Sequence, residues 1–110
     1  MVKMVINSRS GSHHAEGVLD NNVITVKKGS KICLKDSYDA MPMAVRLMRH
    51  DISIVGKDGI LKQDTKFDSP TAAAQFVTGR SVNGYIVWRP DNKTTLKKYI
   101  RNSIEKVEEG

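Results

Sequence analysis

Three histidines, one cysteine and twelve carboxylates are the groups from which this chain of 110 residues could build a reactive site. His13 and His14 are adjacent in a Gly/Ser-rich stretch, where a metal would need a third and usually a fourth ligand at fixed geometry. The bland reading, a solvent-exposed pair, is preferred. His50 closes an amphipathic run, a place where a cation complements the helix dipole. Cys33 lies between Ile32 and Leu34 in a β-prone run and reads as a small core residue rather than a nucleophile. The pairs Asp36/Asp39 and Asp64/Asp68 flank expected turns and helix starts, where Asp commonly caps backbone N–H groups. No Ser-His-Asp or Cys-His arrangement is recognisable, and Gly56-Lys57-Asp58-Gly59 lacks the spacing of a phosphate loop. A metal-dependent hydrolase would need two or three carboxylates converging in one pocket, which spacing alone does not indicate. The expectation is a protein with no catalytic residues, no metal site and no cofactor.

What remains is basic. Eighteen Lys plus Arg against twelve Asp plus Glu give a formal charge of +6 and a pI near 9.6. Such an excess raises affinity for phosphates, anionic lipids and acidic proteins alike. The order of residues narrows this. From Pro70 to Ile104, Arg80, Arg89, Lys93, Lys97, Lys98 and Arg101 face only Asp91 as a counter-charge, an asymmetry that favours an anionic partner. The Gly79–Gly84 segment can present Arg80, Ser81 and Asn83 from one turn, for phosphate contact or for bidentate pairing of the amide with an adenine edge. The local alternative is that Asn83 takes positive φ in an Asn-Gly turn and Ser81 bonds the nearby backbone. Trp88 is expected to anchor a small core, while its neighbour Arg89 can reach phosphate. Lys97, Lys98 and Arg101 share one face of the last helix and Lys93 precedes it; a plain solvated face is the competing explanation. Lys27, Lys28, Lys31 and Lys35 form a second basic cluster around the first hairpin.

The elements that must position these groups follow from period and punctuation. Gly17-Val18-Leu19 and Val23-Ile24-Thr25-Val26 flank Asp20-Asn21-Asn22, a hairpin signal. Lys31-Ile32-Cys33-Leu34 reads as a third strand. Met43, Ala44, Leu47 and Met48 recur at helical intervals, with Pro42 fitting the first turn, so a short helix is expected from about Met41 to His50 with these four residues as its apolar stripe. Ile52–Val55 and Ile60–Gln63 around Asp58-Gly59 read as a second hairpin. Ser69 before Pro70 signals the N-terminus of a helix whose stripe is Ala72, Ala73, Phe76 and Val77 and whose end is Gly79. Tyr85-Ile86-Val87-Trp88 is the most β-prone run. Thr94 or Thr95 caps a last helix with Leu96, Tyr99, Ile100, Ile104 and Val107 on one face, expected to fray at Glu105, Glu108 and Glu109.

The run from Phe67 to Trp88 closely resembles the signature of the domain-of-unknown-function family 4357. That signature has a Phe-x-Ser-Pro-Ser-x-Ala-Ala helix start, a Gly-Arg-Ser-x-Asn-Gly turn, an aromatic residue after it and a Trp a few positions on. Here Thr71 stands for the usual Ser and Tyr85 for the usual Trp. Upstream, Glu16-Gly17 and Val26-Lys27-Lys28-Gly29-Ser30 are similar to the family's opening hairpin, so the resemblance spans about residues 15 to 100. A looser likeness is to a module associated with restriction enzymes and adenine methylases. Members of these groups are often fused behind nucleases or encoded in restriction systems, which implies work near nucleic acid.

The length suits one domain of about 100 residues. No stretch approaches the roughly 18 apolar residues of a membrane span, and the apolar run up to Ile6 is too short for a signal-peptide core. A single cysteine fits a reducing compartment, and the expected location is the cytoplasm, away from membranes. The expected architecture is a small α+β domain over residues 15–107, an antiparallel sheet of about five strands with two or three helices packed on it, preceded by a mobile lead-in or edge strand over residues 1–14. The expected function is a non-enzymatic nucleic-acid-binding module, for DNA rather than RNA, acting as an accessory or recognition unit in a restriction or nuclease setting. Its contact residues are Arg80, Ser81, Asn83, Arg89, Lys93, Lys97, Lys98 and Arg101. The alternative is a protein-interaction module or homodimer that exposes an apolar patch at Tyr85 and Trp88.

Overall fold

The computed structural model describes residues 2–8, 11–21, 23–35, 42–91 and 93–109, with side chains in the last helix described as far as residue 102. Asp36, Asp39, Met41 and Asn92 therefore lie outside the described residues. The chain is α+β, as its patterning implies. Strands β1 (Val2–Asn7), β2 (His14–Asp20), β3 (Val23–Val26) and β4 (Thr65–Phe67) form one antiparallel sheet in that order. The helices are α1 (Met43–Arg49), α2 (Pro70–Thr78), α3 (Gly84–Val87) and α4 (Leu96–Glu109).

The strand patterning is period two. Met4 and Ile6 of β1, Ala15 of β2 and Ile24 and Val26 of β3 are buried, while Lys3, Glu16 and Lys66 between or beside them are exposed, because successive strand side chains point to opposite faces. The amino-terminal segment is a full strand of this sheet, paired from Val2↔Leu19 to Asn7↔His14. Across the inner face lies α2, packed on β3 and β4. Phe76 meets Phe67 with ring centroids 5.1 Å apart and tilted by 45°, a favourable aromatic geometry. Both ends of α2 are stopped as expected: the Ser69 hydroxyl accepts from the Ala72 amide at 3.1 Å, and Gly79 adopts φ 72°.

Four strands rather than five result because the runs Lys31–Leu34, Ile52–Val55, Ile60–Gln63 and Tyr85–Trp88 form no strand beyond isolated bridges, whereas Thr65–Phe67, not expected as a strand, forms β4. At Lys31-Ile32-Cys33-Leu34 only Lys31 bridges, to His14 and to Ile60. The Ile32 amide then bonds the Gly59 carbonyl and the Cys33 amide the Val77 carbonyl, so the chain leaves the sheet for the end of α2. At Ile52–Val55 the Asp51 carboxylate accepts from both the amide and hydroxyl of Ser53, which bends the chain into a turn and leaves a single Val55↔Leu61 bridge. The Asp58-Gly59 reversal survives, with Gly59 at φ 82°.

Helices exceed the expected two or three because Tyr85-Ile86-Val87-Trp88 is not a strand. It is α3, closed by the Trp88 amide donating to Gly84 O at 3.0 Å. Tertiary packing overrides its β propensity. Gly84 is pressed against α2, where a Cβ would lie 2.2 Å from the Pro70 carbonyl. Trp88 is fully buried, its ring against Gly17 and its indole N–H donating to Pro70 O at 3.1 Å.

The helix α1 forms where expected but is turned. Val45 and Arg49 are its buried residues, whereas Met43 and Leu47 are 62% and 66% exposed. The cause is Arg49, whose guanidinium enters the core edge and donates to the carbonyls of Phe76, Cys33 and Lys35. The Phe76 carbonyl belongs to the last turn of α2, which lacks intrahelical donors, so Arg49 supplies a cation at the negative pole of that helix.

Candidate nucleic-acid interface

The Gly79–Gly84 segment runs back along α2, from its C-terminus at Arg80 to Gly84 beside Pro70 at its N-terminus, about 13 Å for nine residues. Arg80 is exposed, with its amide donating to the Thr78 hydroxyl at 3.3 Å. Burial, and secondarily the Arg80 charge, hold the His13 imidazole of the β1–β2 loop below its ordinary pKa. Ser81 is exposed. Asn83 does not take positive φ; at φ −89° it is the N-cap of α3, its side-chain oxygen accepting from the Tyr85 amide at 3.0 Å. Half of the amide needed for bidentate pairing is thereby engaged, and freeing it costs about 1 kcal/mol of capping.

The other predicted residues are carried by one segment that starts from Trp88. Arg89 pairs through its backbone with Val5 on the outer edge of β1, with N···O distances of 2.9 and 3.0 Å. Trp88 points into the core, and the exposed Arg89 side chain shares the opposite face with Val5. In the following turn the Asp91 carboxylate accepts from the Lys93 amide at 2.8 Å, which holds it below the usual carboxylate range. The helix α4 is then anchored by the Leu96 amide on Trp88 O at 2.8 Å and capped by the Thr95 hydroxyl on the Lys98 amide at 3.2 Å. Leu96 is buried and Ile100 half-buried against the core, which turns Lys97, Lys98 and Arg101 to solvent. With Thr95 and Asn102 these three line an open depression of about 430 Å³. Arg89, Lys93, Lys97, Lys98 and Arg101 are thus grouped on one segment, and Arg80, Ser81 and Asn83 stand apart from it along α2.

The second basic cluster is partly neutralised. Lys27 forms an ion pair with Asp64 at 3.1 Å and the Lys28 amide bonds the same carboxylate at 2.8 Å; these contacts hold Asp64 below the usual range. Sequence reading passed over Lys3 and Lys66, which stand on the outer face of the sheet. The alternation of Lys3-Met4-Val5-Ile6 against Glu16-Gly17-Val18 carried that signal, but only the register shows which charges share a row.

Among the described residues no group of three or more His, Cys, Asp or Glu is placed to hold a metal, and Cys33 is buried. No helix among them is long and apolar enough to cross a membrane.

No curated protein and no solved structure matches the chain. The family profile described as "Domain of unknown function (DUF4357)" matches residues 4–100, which takes in all but the first two residues of the sheet, the Phe67–Trp88 signature and the start of α4. The chain belongs to this family.

Proposed function

We propose that this domain is a non-enzymatic nucleic-acid-binding module, with DNA as its partner, serving as an accessory or recognition unit beside a restriction or nuclease enzyme. The observation that carries the reading is the outward face of α4. Lys97, Lys98 and Arg101 are exposed within two helical turns of one another, on a helix whose other side is fixed by Leu96 and Ile100. The neighbouring acid, Asp91, is turned onto the Lys93 amide. Such a face suits phosphates, whose neutralisation releases counterions and makes affinity salt-dependent. Arg89 and Lys93 extend it toward the edge of β1, and Arg80 and Ser81 supply further donors from the turn after α2.

The test is a fluorescence-anisotropy titration of labelled single- and double-stranded DNA at two salt concentrations. Lys97→Ala/Lys98→Ala is expected to weaken binding across sequences and to lower the salt slope by about two on duplex DNA, about one per lost phosphate contact. Absence of binding by the wild type at low salt overturns the reading. The competing function, a protein-interaction module, draws on other residues: Trp88 is core, which leaves Tyr85 and Ile86 of α3 partly exposed, and Met43, Leu47 and Ile52 more so. Association through those side chains would be insensitive to salt.

A further inference from the structure

The four-stranded sheet carries helices on one face, and among the described residues no helix covers the other. Register sorts the uncovered face into rows. One row runs Arg89, Val5, Glu16, Lys27, and the next runs Lys3, Val18, Thr25, Lys66. Each row spans three strand spacings, about 14 Å, and the rows lie about 7 Å apart. The margins carry cations, Arg89 and Lys3 on one side and Lys66 on the other, where Lys27 is neutralised by its ion pair with Asp64. Between them lies a strip of half-buried Val5, Val18 and Thr25, interrupted by Glu16. Lys31, bridged to His14, adds a fifth cation to the face, and its acids besides Glu16 are Asp20 beyond Val18 and Asp64 against Lys27, so cations still exceed acids. Near β1 the face dips into a depression of about 460 Å³ lined chiefly by Lys3, Val5, Glu16, Val18, Lys27 and Pro90, within the size range of small-ligand sites.

Resting on the nucleic-acid reading above, we infer that this uncovered sheet face is the surface on which a single strand of nucleic acid lies, with an unpaired base on Val5, Val18 and Pro90 and phosphates on Lys3, Lys66 and Arg89. Charge complementarity selects an anionic polymer. The apolar strip selects a single strand over a duplex, because a duplex presents phosphates outward and gives Val5 and Val18 nothing to cover. The row from Lys3 to Lys66, about 14 Å, matches about two steps between consecutive phosphates of an extended strand, so the strand runs along the row with phosphates at both margins. The α4 face then meets the flanking backbone, and Arg89 belongs to both surfaces.

The experiment uses the full chain against labelled oligothymidylate, an abasic strand of equal length and a duplex. Oligothymidylate is expected to bind about fivefold more tightly than the abasic strand, the gain when a base covers about 40 Å² of apolar surface. Lys3→Ala/Lys66→Ala, both exposed positions, is expected to keep the circular-dichroism spectrum and lower the salt slope on oligothymidylate by about 1.4, about 0.7 per contact on a single strand. Lys97→Ala/Lys98→Ala is expected to leave the preference over the abasic strand intact. If the wild type binds neither strand nor duplex, the nucleic-acid reading fails and takes this inference with it. If the wild type binds and Lys3→Ala/Lys66→Ala changes neither affinity nor slope, the sheet-face inference alone is overturned. Equal binding of the abasic strand, or equal competition by polyglutamate, overturns it as well, since the face would then hold any polyanion.

Discussion

The helices α1 and α2 are packed against each other, yet they are built on opposite terms. The nine residues of α2 include seven that are buried, from Pro70 to Thr78, and both ends are satisfied: Ser69 at the start, Gly79 and the Arg49 guanidinium at the finish. The seven residues of α1 include two that are buried, Pro42 offers no side-chain cap, and the most intimate contact of the helix is a charge in service of its neighbour. The difference teaches that α2 is the element around which the fold is ordered, and that α1 is held in place by what it does for α2. Substitutions graded across the two helices separate this view from one in which both are equivalent amphipathic packing units.

The largest effect is expected at the residue that ties α2 to the sheet. Trp88 fills the space between Gly17 and Pro70 and donates its indole N–H to Pro70 O. Trp88→Ala loses that bond and opens a cavity at the start of α2, for an expected destabilisation of about 4 kcal/mol in urea unfolding. A loss below about 1 kcal/mol would show that the N-terminal end of α2 is not where the core is closed.

Next is Arg49. Arg49→Met keeps the apolar volume of the side chain and removes its donors, leaving the Phe76 and Cys33 carbonyls without the guanidinium. Orphaned buried acceptors and the lost helix-end cation together are expected to cost about 3 kcal/mol. Arg49→Lys should recover only part of this, because a single ammonium does not reproduce the planar fork. If Arg49→Met is neutral, α1 is an ordinary packing helix and the contrast with α2 collapses.

These two residues also mark what was legible in the sequence. The termini of α2 were readable because capping chemistry is local: Ser-Pro at the start and Gly at the end specify a helix without reference to the rest of the chain. The hairpin β2–β3 was readable for the same reason. The orientation of α1 was not, because periodicity puts Met43 and Leu47 inward and nothing local reports that three backbone carbonyls from distant segments await Arg49. The Tyr85–Trp88 run failed likewise: its propensity is for a strand, and the Asn83 cap with the Gly84–Pro70 contact is a long-range decision. Of the proposed contact residues, the α4 group was legible from charge asymmetry, whereas Lys3 and Lys66 come to share one row, at its two ends, only through the register of four strands.

Ser69→Ala probes the same helix at a weaker point. It removes the hydroxyl that accepts from the Ala72 amide and leaves Pro70 in place, so the expected loss is about 1 kcal/mol, a fall in Tm of about 4–8 °C. Gly at this position should lose only a few tenths of a kcal/mol. The ranking Trp88 above Arg49 above Ser69 places the weight of α2 in its tertiary contacts rather than in its cap, as expected for a helix of nine residues that is too short to persist alone.

The smallest effect is expected where periodicity alone predicts a large one. Met43 and Leu47 lie four residues apart on α1, the spacing of a buried stripe, and both are more than half exposed. Leu47→Ser should therefore change stability by less than about 0.5 kcal/mol, while Val45→Ala on the buried side loses about 2 kcal/mol. Reversed magnitudes would mean that the stripe is the packed side and Arg49 the solvated one. The expected order leaves an apolar ridge on α1 in water, so Leu47→Ser also separates the two association modes. A partner bound through phosphate contacts ignores it, and a partner bound through this ridge is lost.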